Sequence, residues 1–178
     1  VKNNDLNTLL EDKISHQGII VETKTLNYPK LDDVIDNSNI MIALDQVTDP
    51  QNVGAIIRTF SFFGGENLLI TKDHSSEING SLAKSASGAL ESVNIIKVTN
   101  LSMTLKKIRK KGFTIIGLDE NSNVMLHNTN DYSNEKKVLV MGSEGKGLRR
   151  LTKENCDFLV SIANNNDSDF NTLNVSVS

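Results

Sequence analysis

The sequence predicts an α/β fold, a mostly parallel sheet covered by helices on both faces, and three observations carry that prediction. The apolar run Ile40 to Leu44 reads as a buried strand. Five further strand candidates alternate with helical or turn segments, and several of those segments carry helix start or stop signals.

Residues 1 to 38 are polar and weakly periodic, with Asn3, Asn4, Asp5 and Asn7 early and a short apolar strand candidate at Gly18 to Val21. They read as a linker with a leading strand, and 39 to 178 as the folded domain. After the strand Ile40 to Leu44, Asp45 to Pro50 form its turn, and Asn52 to Phe63 form a helix packed by Val53, Ile56, Ile57 and Phe60. Further strands are expected at Asn67 to Thr71, Val93 to Val98, Phe113 to Leu118, Lys137 to Met141 and Phe158 to Ile162. Asn79 to Gly88 is rich in Ala and Ser and reads as a short helix ending at Gly88, while Leu101 to Lys111 is an amphipathic helix closed by Gly112. Asp119 to Glu135 has no sustained period and reads as a loop. Asn164 to Asp169 is a polar loop, after which Leu173 to Val177 resumes order.

A chain of 178 residues fits one domain with a sizeable core. Val1 in place of an initiator Met marks the N-terminal limit as that of a processed or longer protein. The formal charge of −3 excludes a globally basic nucleic-acid binder, so any such binding falls to local patches. Lys106, Lys107, Arg109, Lys110 and Lys111 form one patch, which reads as a solvated helix face opposite Leu101, Leu105 and Ile108. Lys146, Arg149, Arg150 and Lys153 form a second, after a glycine-rich turn. Six Phe, two Tyr and no Trp argue against a base-stacking platform. Cys156 is the only cysteine, which excludes an internal disulfide; it reads as a packed thiol rather than a nucleophile. His16, His74 and His127 lack metal-ligand spacing, so no metal site is expected. No run reaches membrane-spanning length and no signal peptide is visible, so the cytoplasm or an organelle matrix is the default location and no membrane partner is expected.

Three constellations could carry chemistry. Asn52 and Arg58 border the carboxyl end of a strand, the edge where open α/β sheets bind ligands. Gly142 to Leu148 follows another strand, and its close glycines either make a plain tight turn or let backbone N–H groups approach a ligand. Its order, Gly-x-x-Gly-x-Gly, is neither the dinucleotide fingerprint nor a P-loop. Glu144 within it is either a solvated turn residue or a carboxylate that holds an arginine such as Arg58. Asn174 and Ser176 alternate with Leu173, Val175 and Val177, which as a strand puts both polar side chains on one face and as a helix start makes Asn174 a cap.

Together these segments resemble the three motifs of the SpoU, or TrmH, family of ribose methyltransferases in the SPOUT superfamily. Asp49-Pro50, Asn52, Gly54, Ile56 and Arg58 resemble the first motif, Gly142-Ser143-Glu144-Gly145 with Gly147-Leu148 the second, and Thr172 to Val177 the third. His16-Gln17-Gly18 and Ala86 to Glu91 further resemble the RlmB branch, whose members methylate a guanosine of large-subunit ribosomal RNA. The resemblance implies a deep trefoil knot near the C-terminus, S-adenosylmethionine as cofactor, and a homodimer whose active site draws on both subunits. None of these three is readable from composition or periodicity. It further implies that Gly142, Ile162 and Leu173 line the cofactor pocket, that Asn52, Arg58, Glu144, Thr172 and Asn174 form the catalytic neighbourhood, and that residues 1 to 15 are the remnant of an N-terminal RNA-binding domain. The implied reaction is attack of a ribose 2′-hydroxyl on the cofactor's methyl group.

The sequence departs from the family in two places. Ala163 and Asn164 stand where relatives have Pro and Met, in a longer loop, and the third motif ends at Ser178, before the helix that completes the knot and dimer. These departures motivate an alternative: a catalytically inactive RNA- or ribosome-binding module on the same fold. A nucleotide-binding enzyme that uses the Gly142 to Gly147 turn is a third, weaker reading.

Overall fold

The computed structural model describes residues 19–20, 24, 26–126, 136–162 and 173–177. His16-Gln17-Gly18, His127, Thr172 and the loop at Ala163 to Asp169 lie outside the described residues. Of the expected leading strand, Ile19 and Ile20 are described, and neither belongs to a strand.

Six strands form one sheet: β1 (Ile40–Asp45), β2 (Asn67–Thr71), β3 (Asn94–Val98), β4 (Thr114–Leu118), β5 (Lys137–Gly142) and β6 (Phe158–Val160). Their spatial order is β3-β2-β1-β5-β4-β6, and every pairing is parallel. The chain runs outward from β1 to β2 and β3, then crosses to build the other half, so the strand order reverses between β1 and β5. Such a switch point leaves a crevice at the carboxyl ends of the strands. Asp45 of β1 and Gly142 of β5 stand in register there.

Both faces of the sheet are covered because successive side chains point to opposite sides. Met41 and Ala43 join Leu101, Leu105 and Ile108 of the helix Leu101–Lys110, while Ile42 and Leu44 join Val53, Ile56, Ile57 and Phe60 of the helix Pro50–Phe62. In chain order the helices are α1 (Leu31–Val34), α2 (Pro50–Phe62), α3 (Gly80–Ala86), α4 (Leu101–Lys110) and α5 (Arg150–Lys153). Sequence caps start three of them: Asp49 accepts from the N–H of Gln51 at 2.9 Å with Pro50 in the first turn, Asn79 from Ser81 and Leu82 at 3.1 Å, and Asn100 from Met103 at 3.0 Å. Burial of each of the three apolar side chains of α4 contributes roughly 2 kcal/mol.

One expectation changes and a second gains detail. The stretch Leu31–Asn37, read as part of a linker, is helical, and Leu31 and Ile35 enter the core on the α4 side. The lysine-rich face of α4 is solvated as expected, opposite Leu101, Leu105 and Ile108, but three of its basic residues are paired. Lys107 pairs with Asp32 at 2.5 Å, Lys111 with Asp36 at 2.9 Å, and Arg109 with Asp157 at 2.8 Å. The hydrogen bond and charge of Lys111 hold the Asp36 carboxyl below its ordinary value, and Asp36 raises Lys111 reciprocally. Exposed pairs of this kind add little stability each, but they offset much of the patch's positive charge, leaving Lys106 and Lys110 exposed beside them.

Candidate active site

The site is built where β1 and β5 end. Asp49 and Pro50 start α2 at once after the β1 turn, which places Asn52 in the first turn of the helix, above the carboxyl end of the sheet. Asn52 is 7% exposed. The contact of α2 with α3 is close because residue 54 is glycine: a Cβ there would lie 2.6 Å from the Leu82 carbonyl oxygen and 2.6 Å from the Ser85 Cβ. Ser85 in turn donates to the carbonyl of Gln51 at 2.8 Å.

From β5 the chain makes a tight turn. Ser143 and Gly147 form an antiparallel bridge, with the N–H of Gly147 donating to the Ser143 carbonyl at 2.8 Å. Gly142 is required by this return, since a Cβ on it would lie 2.2 Å from the carbonyl carbon of Gly147 and 2.4 Å from the nitrogen of Leu148. Gly145 and Gly147 hold φ of +74 and +63, in the left-handed region that glycine adopts without strain. The glycines therefore shape a tight turn, and the helix that follows, α5, has a single turn and no anion site of its own.

Glu144 sits at the tip of that turn, and its Oε1 accepts from Asn52 Nδ2 at 3.1 Å and from Asn174 Nδ2 at 2.6 Å. Three segments separated by 92 and 30 residues thus meet at one carboxylate oxygen. Asn174 is fixed on its other side too. Its Oδ1 accepts from the N–H of Ser176 at 2.8 Å and from the Ser176 hydroxyl at 2.6 Å, and its carbonyl accepts from the N–H of Val177 at 2.8 Å. Asn174 therefore caps a turn rather than continuing a strand, and Val175 beside it is buried against the α2 side of the core.

Arg58 does not join this cluster within the chain, so of the two readings of Glu144 the one in which it holds Arg58 is not met there. Six residues of helix separate Asn52 from Arg58, about 9 Å of rise with a change of face. Glu144 is engaged by the two amides, while the Arg58 side chain is exposed and makes no hydrogen bond or ion pair among the described residues. With Thr59, Ser61 and Phe62 it lines an open hollow of about 380 Å³. Phe62 and Phe63 next to it are 83% and 79% exposed and pack edge to face.

Of the cofactor-site candidates, Gly142 closes β5, Ile162 follows β6 at the same edge of the sheet, and Leu173 precedes Asn174; Ile162 and Leu173 are exposed apolar residues. Thr172 lies outside the described residues. The second basic patch is largely paired: Arg149 with Asp45, Arg150 with Glu154, and Lys153 with Asp119 at 2.6 Å. Burial pushes the Asp119 carboxyl up, but Lys153 and the Asn121 N–H outweigh it and hold it below the ordinary value. Burial, then the Asp157 charge, pushes the Cys156 thiol up to about 12. That thiol donates to the Thr152 carbonyl at 3.3 Å and is a packed group, not a nucleophile. No group of three His, Cys, Asp or Glu among the described residues is placed to hold a metal, and no described helix is long and apolar enough to cross a membrane.

Asp45 is the residue that sequence reasoning missed. Fully buried, it holds Arg149 and so ties the end of β1 to the far end of the Glu144 turn. Its signal was a lone carboxylate ending the apolar run Ile40 to Leu44.

An open parallel sheet with a polar constellation at its switch point defines an α/β protein whose ligand site lies at the carboxyl edge of the strands. The SpoU rRNA Methylase family pattern matches residues 39–178, and the chain belongs to that family. A protein of Ralstonia nicotianae named 23S rRNA (guanosine-2'-O-)-methyltransferase RlmB is 41% identical over 151 residues, which are 83% of this chain and 60% of that one. This chain thus spans about three fifths of that relative's length. The AdoMet-bound rRNA methyltransferase of Sinorhizobium meliloti has the same fold, with a TM-score of 0.74 at 24% identity over 85% of this chain and 57% of that one. The TrmH/SpoU tRNA modifying enzyme of A. aeolicus gives 0.67 at 25% identity, over 83% of this chain and 75% of that one.

Proposed function

We propose that this chain transfers a methyl group from S-adenosylmethionine to a ribose 2′-hydroxyl of large-subunit ribosomal RNA, at a guanosine. The observation that carries the reading is the meeting of Asn52 and Asn174 on Glu144 at the switch point, in a chain of the SpoU family. The guanosine and the ribosomal RNA come from the activity named for the Ralstonia relative.

Gly142, Ile162 and Leu173 would hold the cofactor. The donor set fits: two exposed apolar side chains suit an adenine and its linker, and the space beside Gly145 and Gly147 is open, so a ligand can come close to the turn's backbone there. When bound, S-adenosylmethionine supplies an electrophilic methyl group on a sulfonium. Asn52, Glu144, Asn174 and Thr172 hold the neighbourhood in which the ribose is placed, and positioning supplies much of the rate of such a transfer.

Arg58 orients the RNA phosphate and stabilises charge on the ribose oxygen. Since Arg58 stands away from Glu144 in its own chain, it serves the site of a second copy in a homodimer. The exposed Phe62 and Phe63 beside it support that arrangement. The C-terminal segment passes through a trefoil knot, a reading supported by burial of Val175 in the core and docking of Asn174 on the β5 turn. Residues 39 to 178, with the helical stretch Leu31–Asn37 packed on them, are the catalytic domain, preceded by a linker and part of an RNA-binding domain, and the protein works in the cytoplasm.

The test follows labelled methyl from S-adenosylmethionine into ribosomal RNA, with calorimetry of cofactor binding alongside. Arg58→Ala is expected to abolish transfer while keeping cofactor affinity; near-normal turnover would remove Arg58 from the mechanism.

A further inference from the structure

Asp45 ends β1 with a carboxylate that is 0% exposed, and it grips one residue in three ways. Oδ2 accepts from the backbone N–H of Arg149 at 3.0 Å, while Oδ1 accepts from Arg149 Nε at 2.7 Å and lies 2.7 Å from Nη2. A carboxylate that takes both a backbone N–H and a guanidinium fixes orientation as well as position. The turn that carries Glu144 leaves the sheet at Gly142, in register with Asp45, and returns to Asp45 at Arg149. One buried group therefore stands at both ends of the turn.

Stability alone is a poor reason for such a pair. A carboxylate removed from water is strongly penalised unless its geometry is met in full, and well-packed apolar residues in its place are often as stable. The Arg149 side chain is about half exposed, so the pair is not a plug in the core but a link from the core to the turn. Glu144, at the exposed tip, can meet Asn52 and Asn174 only where the closed turn puts it.

We propose that Asp45 is a positioning residue, which by clamping Arg149 sets the 143–148 turn so that Glu144 meets the two asparagines. This rests on the reading of Glu144 as part of the methyl-transfer site. It is tested in the full chain with Asp45→Asn and Arg149→Lys, by amide hydrogen exchange across 143–148 and by kcat and KM for methyl transfer to ribosomal RNA. Faster exchange confined to the turn, with α4 unchanged, and a kcat loss of about a hundred-fold at unchanged KM are expected. Unchanged exchange in the turn, a uniform rise that includes α4, or full kcat despite a loosened turn each overturns the proposal. If Asp45→Asn does not fold, Arg149→Lys, which keeps the charge but not the fork on a half-exposed side chain, decides by the same readouts. A wild-type chain that transfers no methyl group overturns the assigned reaction instead, and the exchange data alone then decide whether the clamp exists.

Discussion

Replacing Glu144 by Ala deprives two amides of one acceptor, and the structure sets the size of the effect. The bonds from Asn52 and Asn174 end on the same carboxylate oxygen, at 3.1 and 2.6 Å. Asn174 is exposed and exchanges its bond for water at little net loss. Asn52 is not free to do so: it is buried, and an unmatched buried donor costs about 1–3 kcal/mol. With little added by Asn174, Glu144→Ala should lose roughly 1–3 kcal/mol, a sizeable share of the 5–15 kcal/mol typical of a domain. Glu144→Gln keeps an acceptor oxygen and gives up only its charge, so about 1 kcal/mol is expected. Urea unfolding at constant m reads both values. An Ala variant within about 0.5 kcal/mol of wild type, the range of an ordinary surface substitution, would refute the reasoning.

Gly54→Ala should lower stability by about 1–3 kcal/mol, because its Cβ would press on the α3 backbone at 2.6 Å, even though alanine is the better helix former; a raised Tm would contradict the close approach of α2 and α3. Cys156, with its thiol pushed up to about 12, should resist iodoacetamide in the native state at pH 8, where roughly one molecule in ten thousand carries the thiolate. Its alkylation should quicken only as pH climbs toward that value, and rapid labelling at pH 8 would show an open thiol. Arg58→Ala and Asn174→Ala should each be inactive alone, yet mixed and reassorted in equal amounts they should regain about a quarter of wild-type activity, since half of the dimers then hold one intact site. No recovery on mixing would argue against a site shared between subunits.

Much of the sheet was legible because its strands are apolar runs set off by turn residues, and the N-cap asparagines and Asp49 announce their helices locally. What depends on distant partners was not. Leu31 and Ile35 are too few to show a helical period, and only packing against α4 makes them core. The lysines of α4 look free until Asp32 and Asp36, some 75 residues away for the Lys111 pair, fold onto them. Asp45 and Arg149 are 104 residues apart, and neither hints at the other. In the site, the two asparagines and Glu144 stand out at strand ends and turns, the motif resemblance joins them into one neighbourhood, and their contact is visible only in the structure. The reading of Glu144 as the holder of an arginine such as Arg58 came from placing both near the carboxyl end of a strand, without the helical rise that separates Arg58 from Asn52.

The most direct measurement of the central claim is a map of ribose 2′-O-methyl groups in ribosomal RNA from cells with and without the gene. The account predicts that one guanosine of the large-subunit RNA loses its methyl group and that purified protein with S-adenosylmethionine restores it. An unchanged map, or a methyl group lost from a base rather than a ribose, would contradict it.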